Sequence, residues 1–310
     1  MKTALLATGQ GSQYVGMLKD INDKYPQAAK MIKSADEILE YKLSEILFEG
    51  PADILKETRY TQPALFLHSA VLTALLKELL SDKIQFDATA GHSVGEYAAL
   101  YAAGVLDFET ALKLVALRGK LMFNAGEYEP GTMFAVIGGS DEKIEDLCKE
   151  LTAAGEDNVI VAANYNSPGQ LVVSGSAEYL RANADKFKSA GAKMVKELVV
   201  SGAFHSPLML PAKAELEKAI ASAEFNDADI PVYSNVFAKP ITNAAEIRNA
   251  LIMQLTEPVR WTQSIQEMGN NGIGRFVEAG PGKVLQGLVK RILPDVEIFG
   301  FDKAEDIENF

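Results

Sequence analysis

The chain has 310 residues, 48% of them hydrophobic, enough to bury one large core or two moderate ones. Its 42 acidic against 30 basic residues give a formal net charge of -12, which repels nucleic acid and anionic membrane, so neither is expected as a partner. One cysteine, Cys148, excludes an intrachain disulfide framework and reads as a packed helix residue, and no stretch approaches about 20 uninterrupted apolar residues; a cytoplasmic protein without a membrane span is expected.

In chain order, residues 3–8 read as a short buried strand, ended by Gly9-Gln10-Gly11-Ser12-Gln13 too abruptly for a secretion signal. Residues 25–39, 43–48 and 63–80 carry helical patterns, with Pro63 expected in a first turn. A strand at 86–90 enters Gly91-His92-Ser93-Val94-Gly95, and a helix at 96–103 leaves it. The next helix, 108–124, is expected to end where Gly126 and Pro130 cluster. Then the rhythm changes: strand 133–137, helix 141–153, strands 159–163 and 170–174, helix 177–190, strand 194–200. This β-α-β-β-α-β order is ferredoxin-like, so residues 131–201 read as a subdomain inserted into a core made of 1–130 and 202–310. Beyond it, strands at 231–233, 275–278 and 296–299 alternate with helices at 245–254, 262–270 and 283–292, the pattern of an α/β fold with a mainly parallel sheet covered on both faces.

Gly-x-Ser-x-Gly alone is a weak signal, but a strand entering and a helix leaving make it a tight turn that presents the Ser93 hydroxyl at a helix N-terminus. A serine needs a base, and there are three histidines. His92 adjoins the serine and reads as shaping the turn. His68 lies in an apolar helix and reads as packed. His205, in Ser201-Gly202-Ala203-Phe204-His205-Ser206-Pro207, sits where the inserted segment rejoins the core and is the candidate base. The Val94 amide, just after the serine, is one candidate oxyanion donor, and the loop around Gln10 can supply a second. Read by itself, that glycine-rich loop could equally cradle a phosphate, although it lacks the lysine of a P-loop. No pattern of metal ligands stands out.

Taken together, the segments at 9–13 and 91–97, Arg118-Gly119-Lys120, Gly202-Ala203-Phe204-His205 and Gly280-Pro281-Gly282-Lys283-Val284-Leu285 resemble the malonyl-CoA:acyl carrier protein transacylases of fatty acid synthesis, in the family's order and over nearly the whole chain. The resemblance implies an α/β-hydrolase-like core carrying a ferredoxin-like insertion. It implies Ser93 as the acylated nucleophile, His205 as its base, and the Gln10 and Val94 amides as the oxyanion hole. Arg118, otherwise a surface or helix-capping charge, would grip the malonyl carboxylate, and Gln254 would hydrogen-bond and orient the histidine in place of a hydrolase's acid. Asn164 and Asn166 match a cleft-side loop, and Phe204 the bulky residue of malonyl-specific members.

The sequence departs from the family pattern at Ala7-Thr8, where proline is usual, and at Gly202. The implied substrates are malonyl-CoA and the phosphopantetheine thiol of acyl carrier protein, with no permanently bound cofactor. The expected enzyme is a monomer that meets its acidic carrier through a local basic patch, for which Lys193, Lys196, Lys283, Lys290 and Arg291 are candidates. A serine thioesterase on the same fold and a transacylase serving a polyketide assembly line are the alternatives.

Overall fold

The structure, a computed structural model, describes residues 1–155 and 157–310. Its strands in chain order are β1 (Lys2–Ala7), β2 (Ala88–Gly91), β3 (Gly131–Ile137), β4 (Ile160–Ser167), β5 (Gln170–Ser176), β6 (Met194–Glu197), β7 (Val232–Tyr233), β8 (Pro240–Ile241), β9 (Ile273–Ala279) and β10 (Glu297–Phe301). They form two sheets. The larger is ordered β10-β9-β1-β2-β7-β8, parallel throughout except that β8 runs antiparallel to β7. The smaller, β4-β5-β3-β6, is wholly antiparallel.

Central strands of a parallel sheet are covered on both faces, and β1 and β2 carry the composition that demands it. Five of the six residues of β1 are buried, as are all four of β2. The small residues Ala88-Thr89-Ala90-Gly91 let the helix Gly95–Ala102 lie close beneath. Opposite faces of this sheet feed two separate apolar cores, one including Leu5, Ala7 and Val277, the other Ala4, Leu6 and Phe276; the alternation along β1 and β9 is the period-two pleat. The smaller sheet has a third core of its own. Phe134, Val136, Leu171 and Val173 pack there against Ile144, Cys148, Leu180 and Phe187 of the helices Asp141–Ala154 and Ala177–Ser189. Burial pushes the Cys148 thiol up to about 12, so it behaves as a small hydrophobe.

Several elements depart from the sequence expectation. The helix around Pro63 starts five residues earlier and runs Thr58–Leu79, which places Pro63 in its interior. Its start is hidden by the polar run Thr58-Arg59-Tyr60-Thr61-Gln62, where the Thr61 hydroxyl donates back to the Leu55 carbonyl at 2.5 Å. Helix Phe108–Tyr128 passes straight through Gly126. That glycine is not a breaker but a crossing point: a Cβ there would lie 1.5 Å from the Ser201 carbonyl oxygen. The helix Leu210–Ser222 has no counterpart in the sequence reading; it buries only Ala212, Leu216 and Ile220, too thin a stripe among charged neighbours to stand out. Finally, β6 stops at Glu197, and residues 198–200 leave the sheet for the cleft described next.

Candidate active site

The carboxyl end of β2 turns abruptly into the helix Gly95–Ala102, with Ser93 at φ 53° in the left-handed region. The flanking glycines are obligatory. A Cβ on Gly91 would lie 1.9 Å from the Gly95 backbone, and one on Gly95 would lie 2.3 Å from the Ala7 carbonyl oxygen of β1. Asn235, wholly buried just beyond β7, clamps the turn from outside. Its side-chain oxygen accepts from the Ser93 amide at 2.8 Å and its amide group donates to the Gly91 carbonyl at 2.7 Å.

The serine Oγ lies 2.7 Å from His205 Nε2. On the other side of the ring, Nδ1 lies 2.8 Å from the backbone carbonyl oxygen of Gln254. A carbonyl can only accept, so Nδ1 carries the proton and Nε2 is the free acceptor for the serine O–H. His205 is also in the left-handed region, φ 56°, so both partners of the pair occupy strained backbone. Burial, followed by the neighbouring Arg118 charge, pushes the imidazole down to about 3, which keeps it in the basic form at neutral pH.

Arg118 comes from the middle of the helix Phe108–Tyr128 and is fully buried. One terminal nitrogen donates to Gln62 Oε1 at 2.7 Å; the other donates to Ser93 Oγ at 3.1 Å and to Gln254 Oε1 at 3.0 Å. A surface or capping role for this arginine is thereby ruled out. Burial disfavours its charge while Tyr97 and Glu96 favour it.

These groups face a cleft of about 450 Å³ between the two sheets. Gln10 and Val94 line it beside Ser93, and among the described residues neither of their amides donates to a protein acceptor. Phe204, Met122, Met133 and Val172 form its apolar wall. Asn164 and Asn166 also line it, but on the strand β4 and not on a loop as expected; the register shifts of β4 at 162–164 and 165–167 turn them toward the cleft. Asn166 Oδ1 accepts from His92 Nε2 at 2.8 Å, and the His92 ring packs on Trp261 with centroids 5.4 Å apart. His92 thus holds the turn against the smaller sheet. His68, also buried, lies elsewhere, 3.2 Å from Asp302.

A serine hydroxyl within hydrogen-bond distance of an imidazole, two backbone amides without a protein acceptor among the described residues, and a buried guanidinium thus gather around one cleft. The acyl transferase domain family matches residues 5–307. A malonyl CoA-acyl carrier protein transacylase of Haemophilus influenzae is 43% identical over 309 residues, covering 100% of this chain and 97% of the relative. The crystal structure of an acyl carrier protein S-malonyltransferase from Vibrio cholerae superposes with a TM-score of 0.94 at 40% identity, covering 100% of this chain and 99% of the other. Equally similar in fold, TM-score 0.94 at 38% identity with 100% and 98% coverage, is a malonyl-transacylase solved in complex with its type II polyketide acyl-carrier protein. The chain belongs to the acyl transferase family, among the malonyl CoA-acyl carrier protein transacylases.

In this transacylase Ser93, His205, Arg118 and Gln254, singled out in the sequence, form one hydrogen-bonded cluster. Gln254 was expected to hydrogen-bond the histidine, and its contact with His205 runs through its backbone oxygen, which leaves the side-chain amide for Arg118, the Ser93 carbonyl (2.9 Å) and Glu96. Three partners escaped notice: Gln62, Asn235 and Glu96. Each is a buried polar residue whose burial cannot be read from a short motif. Gln62 alone offered a signal, a polar amide heading an otherwise apolar helix.

Proposed function

We propose that this chain transfers the malonyl group of malonyl-CoA to the phosphopantetheine thiol of acyl carrier protein, through an ester on Ser93, as a step of fatty acid biosynthesis. The observation that carries the reading is the buried Arg118 guanidinium 3.1 Å from the serine Oγ. A fixed cation at that distance from the nucleophile suits an acyl group ending in a carboxylate and leaves an acetyl group nothing to satisfy it.

The Ser93 hydroxyl passes its proton to His205 Nε2 as Oγ bonds to the thioester carbonyl carbon. Negative charge gathers on the carbonyl oxygen, for which the Gln10 and Val94 amides are the donors. Collapse breaks the C–S bond, and the proton on His205 leaves with the CoA sulfur. The carrier thiol then gives its proton to Nε2, its sulfur takes the malonyl carbon, and the proton returns to Oγ. A backbone carbonyl on Nδ1 stabilises the imidazolium less than a carboxylate would, which suits a thioester with its good leaving group and argues against a thioesterase with a full triad. Phe204 closes the apolar wall against a branched acyl group, and Asn164 and Asn166 line the opposite side.

The same reading takes residues 1–130 and 202–310 as an α/β-hydrolase-like core and 131–201 as its ferredoxin-like insertion, working as a cytoplasmic monomer without a resident cofactor. Its basic candidates for the carrier, Lys193, Lys196, Lys283, Lys290 and Arg291, are exposed. Among the described residues no helix is long and apolar enough to cross a membrane.

Intact-protein mass analysis after brief exposure to malonyl-CoA tests the reading. The wild type gains one malonyl group and loses it to added holo-carrier protein, while Ser93→Ala gains none; a malonyl adduct on Ser93→Ala would refute it. Because one relative is paired with a polyketide carrier, carriers of both pathways are offered alongside water. Discharge to the polyketide carrier alone favours that pathway, and discharge to water alone favours a hydrolase.

A further inference from the structure

Arg118 is buried yet among the described residues has no carboxylate bonded to it: its hydrogen bonds there go to neutral oxygens, on Gln62, Ser93 and Gln254. A buried cation held this way is costly unless a negative charge sits close by. That charge is Glu96, one side chain further on. Its Oε2 accepts from Gln254 Nε2 at 2.5 Å and its Oε1 accepts from the Asn235 backbone amide at 3.3 Å, with Glu96 itself buried.

The order of these contacts matters. A side-chain amide has one accepting end and one donating end; Arg118 only donates and so meets Oε1, and the Ser93 carbonyl only accepts and so meets Nε2. An ionised carboxylate can only accept. Glu96 therefore holds the Gln254 nitrogen from a third side and reinforces the direction in which Oε1 meets Arg118. The same contact holds Gln254 Nε2 against the Ser93 carbonyl. Gln254 also carries the carbonyl that receives His205 Nδ1, so a single residue, held by Glu96, touches the nucleophile's backbone, the base and the cation.

We propose that Glu96 is a positioning residue for acyl selectivity. Its carboxylate reinforces the direction of the Gln254 amide, supplies the countercharge for Arg118 across that amide, and leaves the guanidinium free to take the carboxylate of the acyl group. A direct Glu96–Arg118 ion pair would neutralise the cation equally well and would compete with the substrate; the interposed amide avoids this. Burial raises the Glu96 carboxyl to about 7, against the hydrogen bonds from Gln254 and Asn235 and the charge of Arg118, so the countercharge is fully present only above that pH. The inference rests on the malonyl-transfer reading, because it assigns the cation to the acyl carboxylate.

The test is Glu96→Gln, which keeps the shape but offers one accepting oxygen where two donors point. Malonyl and acetyl loading of Ser93 are compared at pH 8, where the carboxylate form of the wild type predominates. The variant loses malonyl loading by about 10- to 100-fold, the scale of one charge-assisted hydrogen bond, and acetyl loading, which uses the same serine and base but not the cation, falls by a smaller factor, so the malonyl-to-acetyl ratio drops by at least about threefold. A purely structural defect in the turn would lower both equally and leave the ratio unmoved. In an Arg118→Ala background, Glu96→Gln leaves the malonyl-to-acetyl ratio unchanged, since the residue acts through the cation. Should Glu96→Gln not fold, Glu96→Asp is read the same way: it keeps the charge but withdraws the oxygens from Gln254 by one methylene. A wild-type ratio in either folded variant overturns the inference. Failure of the wild type itself to load malonyl on Ser93 would instead overturn the functional reading beneath it.

Discussion

The turns and helices gathered around β1 and β2 of the parallel sheet hold Gln10, Ser93, Val94, Arg118, His205 and Gln254. From the antiparallel sheet and the segment after it come Met133, Asn164, Asn166, Val172 and residues 198–200. In the first set Ser93, Arg118, His205 and Gln254 are tied by a continuous chain of buried hydrogen bonds through Asn235, Glu96 and Gln62. The second is mainly apolar, rests on a core of its own, and reaches the turn through the Asn166–His92 contact. Ser93 and His205, the left-handed non-glycine residues at the cleft, both lie in the first set. Backbone strain of about 1–3 kcal/mol each persists only where the surroundings over-determine the conformation, and the parallel-sheet region has the buried polar network to do so. The parallel region is thus built for reacting geometry and the antiparallel one for enclosure. Substitutions should separate the two by size and kind of effect.

The largest effect we expect within this comparison is at Arg118. Arg118→Ala removes a fully desolvated charge partner, a loss of about 2–5 kcal/mol, so malonyl loading falls by about 30- to 5,000-fold. Acetyl loading falls far less, having no carboxylate to be held. Steady-state loading by the two thioesters measures both. Equal losses would mean that the arginine serves the turn and not the acyl group.

The pH dependence probes the same region with a smaller effect. A histidine at its ordinary value of about 6.5 would lose roughly tenfold in basic form between pH 7.5 and 5.5. In His205, burial and Arg118 depress the folded value to about 3, so the base form persists. The sign for stability follows: the depressed value favours the folded state above the unfolded pKa of about 6.5, and this contribution is lost as pH falls toward about 3. Acetylation of Ser93 by the uncharged ester p-nitrophenyl acetate should therefore stay flat within about twofold from pH 7.5 to 5.5. An inflection near 7 that vanishes in Glu96→Gln reports Glu96, raised to about 7. An inflection near 6.5 that survives that substitution would show His205 to be unshifted.

How much of this was legible in the sequence follows from the physics of each part. The turn at Ser93 declared itself because two glycines are forced by close backbone contact, and forced residues leave a local mark. The antiparallel sheet was legible through element order, the β-α-β-β-α-β succession that turn residues punctuate. Helix 210–222 and the true start of the helix at Thr58 did not, because their buried stripes are narrow or interrupted by polar residues serving other segments. At the site, the resemblance named Gln254 but could not say which of its atoms meets the histidine; a backbone oxygen has no sequence signature. Asn235 and Glu96 stayed hidden because their importance is a matter of what they touch across the fold, Glu96 although it stands three residues from the nucleophile.

The smallest expected effect belongs to the antiparallel side. Asn166→Ala removes the acceptor for His92 Nε2–H, a net loss of about 0.5–1.5 kcal/mol, and leaves every group that bonds to Ser93 in place. Loading of Ser93 with malonyl should stay within about threefold of wild type. What changes is enclosure. With the smaller sheet less firmly held against the turn, water reaches the ester more readily, and release of free malonate from the loaded enzyme rises about two- to tenfold on the same energy scale. Loading and hydrolysis can be followed in one mass-analysis time course without carrier protein. If Asn166→Ala instead abolishes loading as Arg118→Ala does, then strand β4 takes part in the reacting geometry, and the division between a sheet that reacts and a sheet that encloses is wrong.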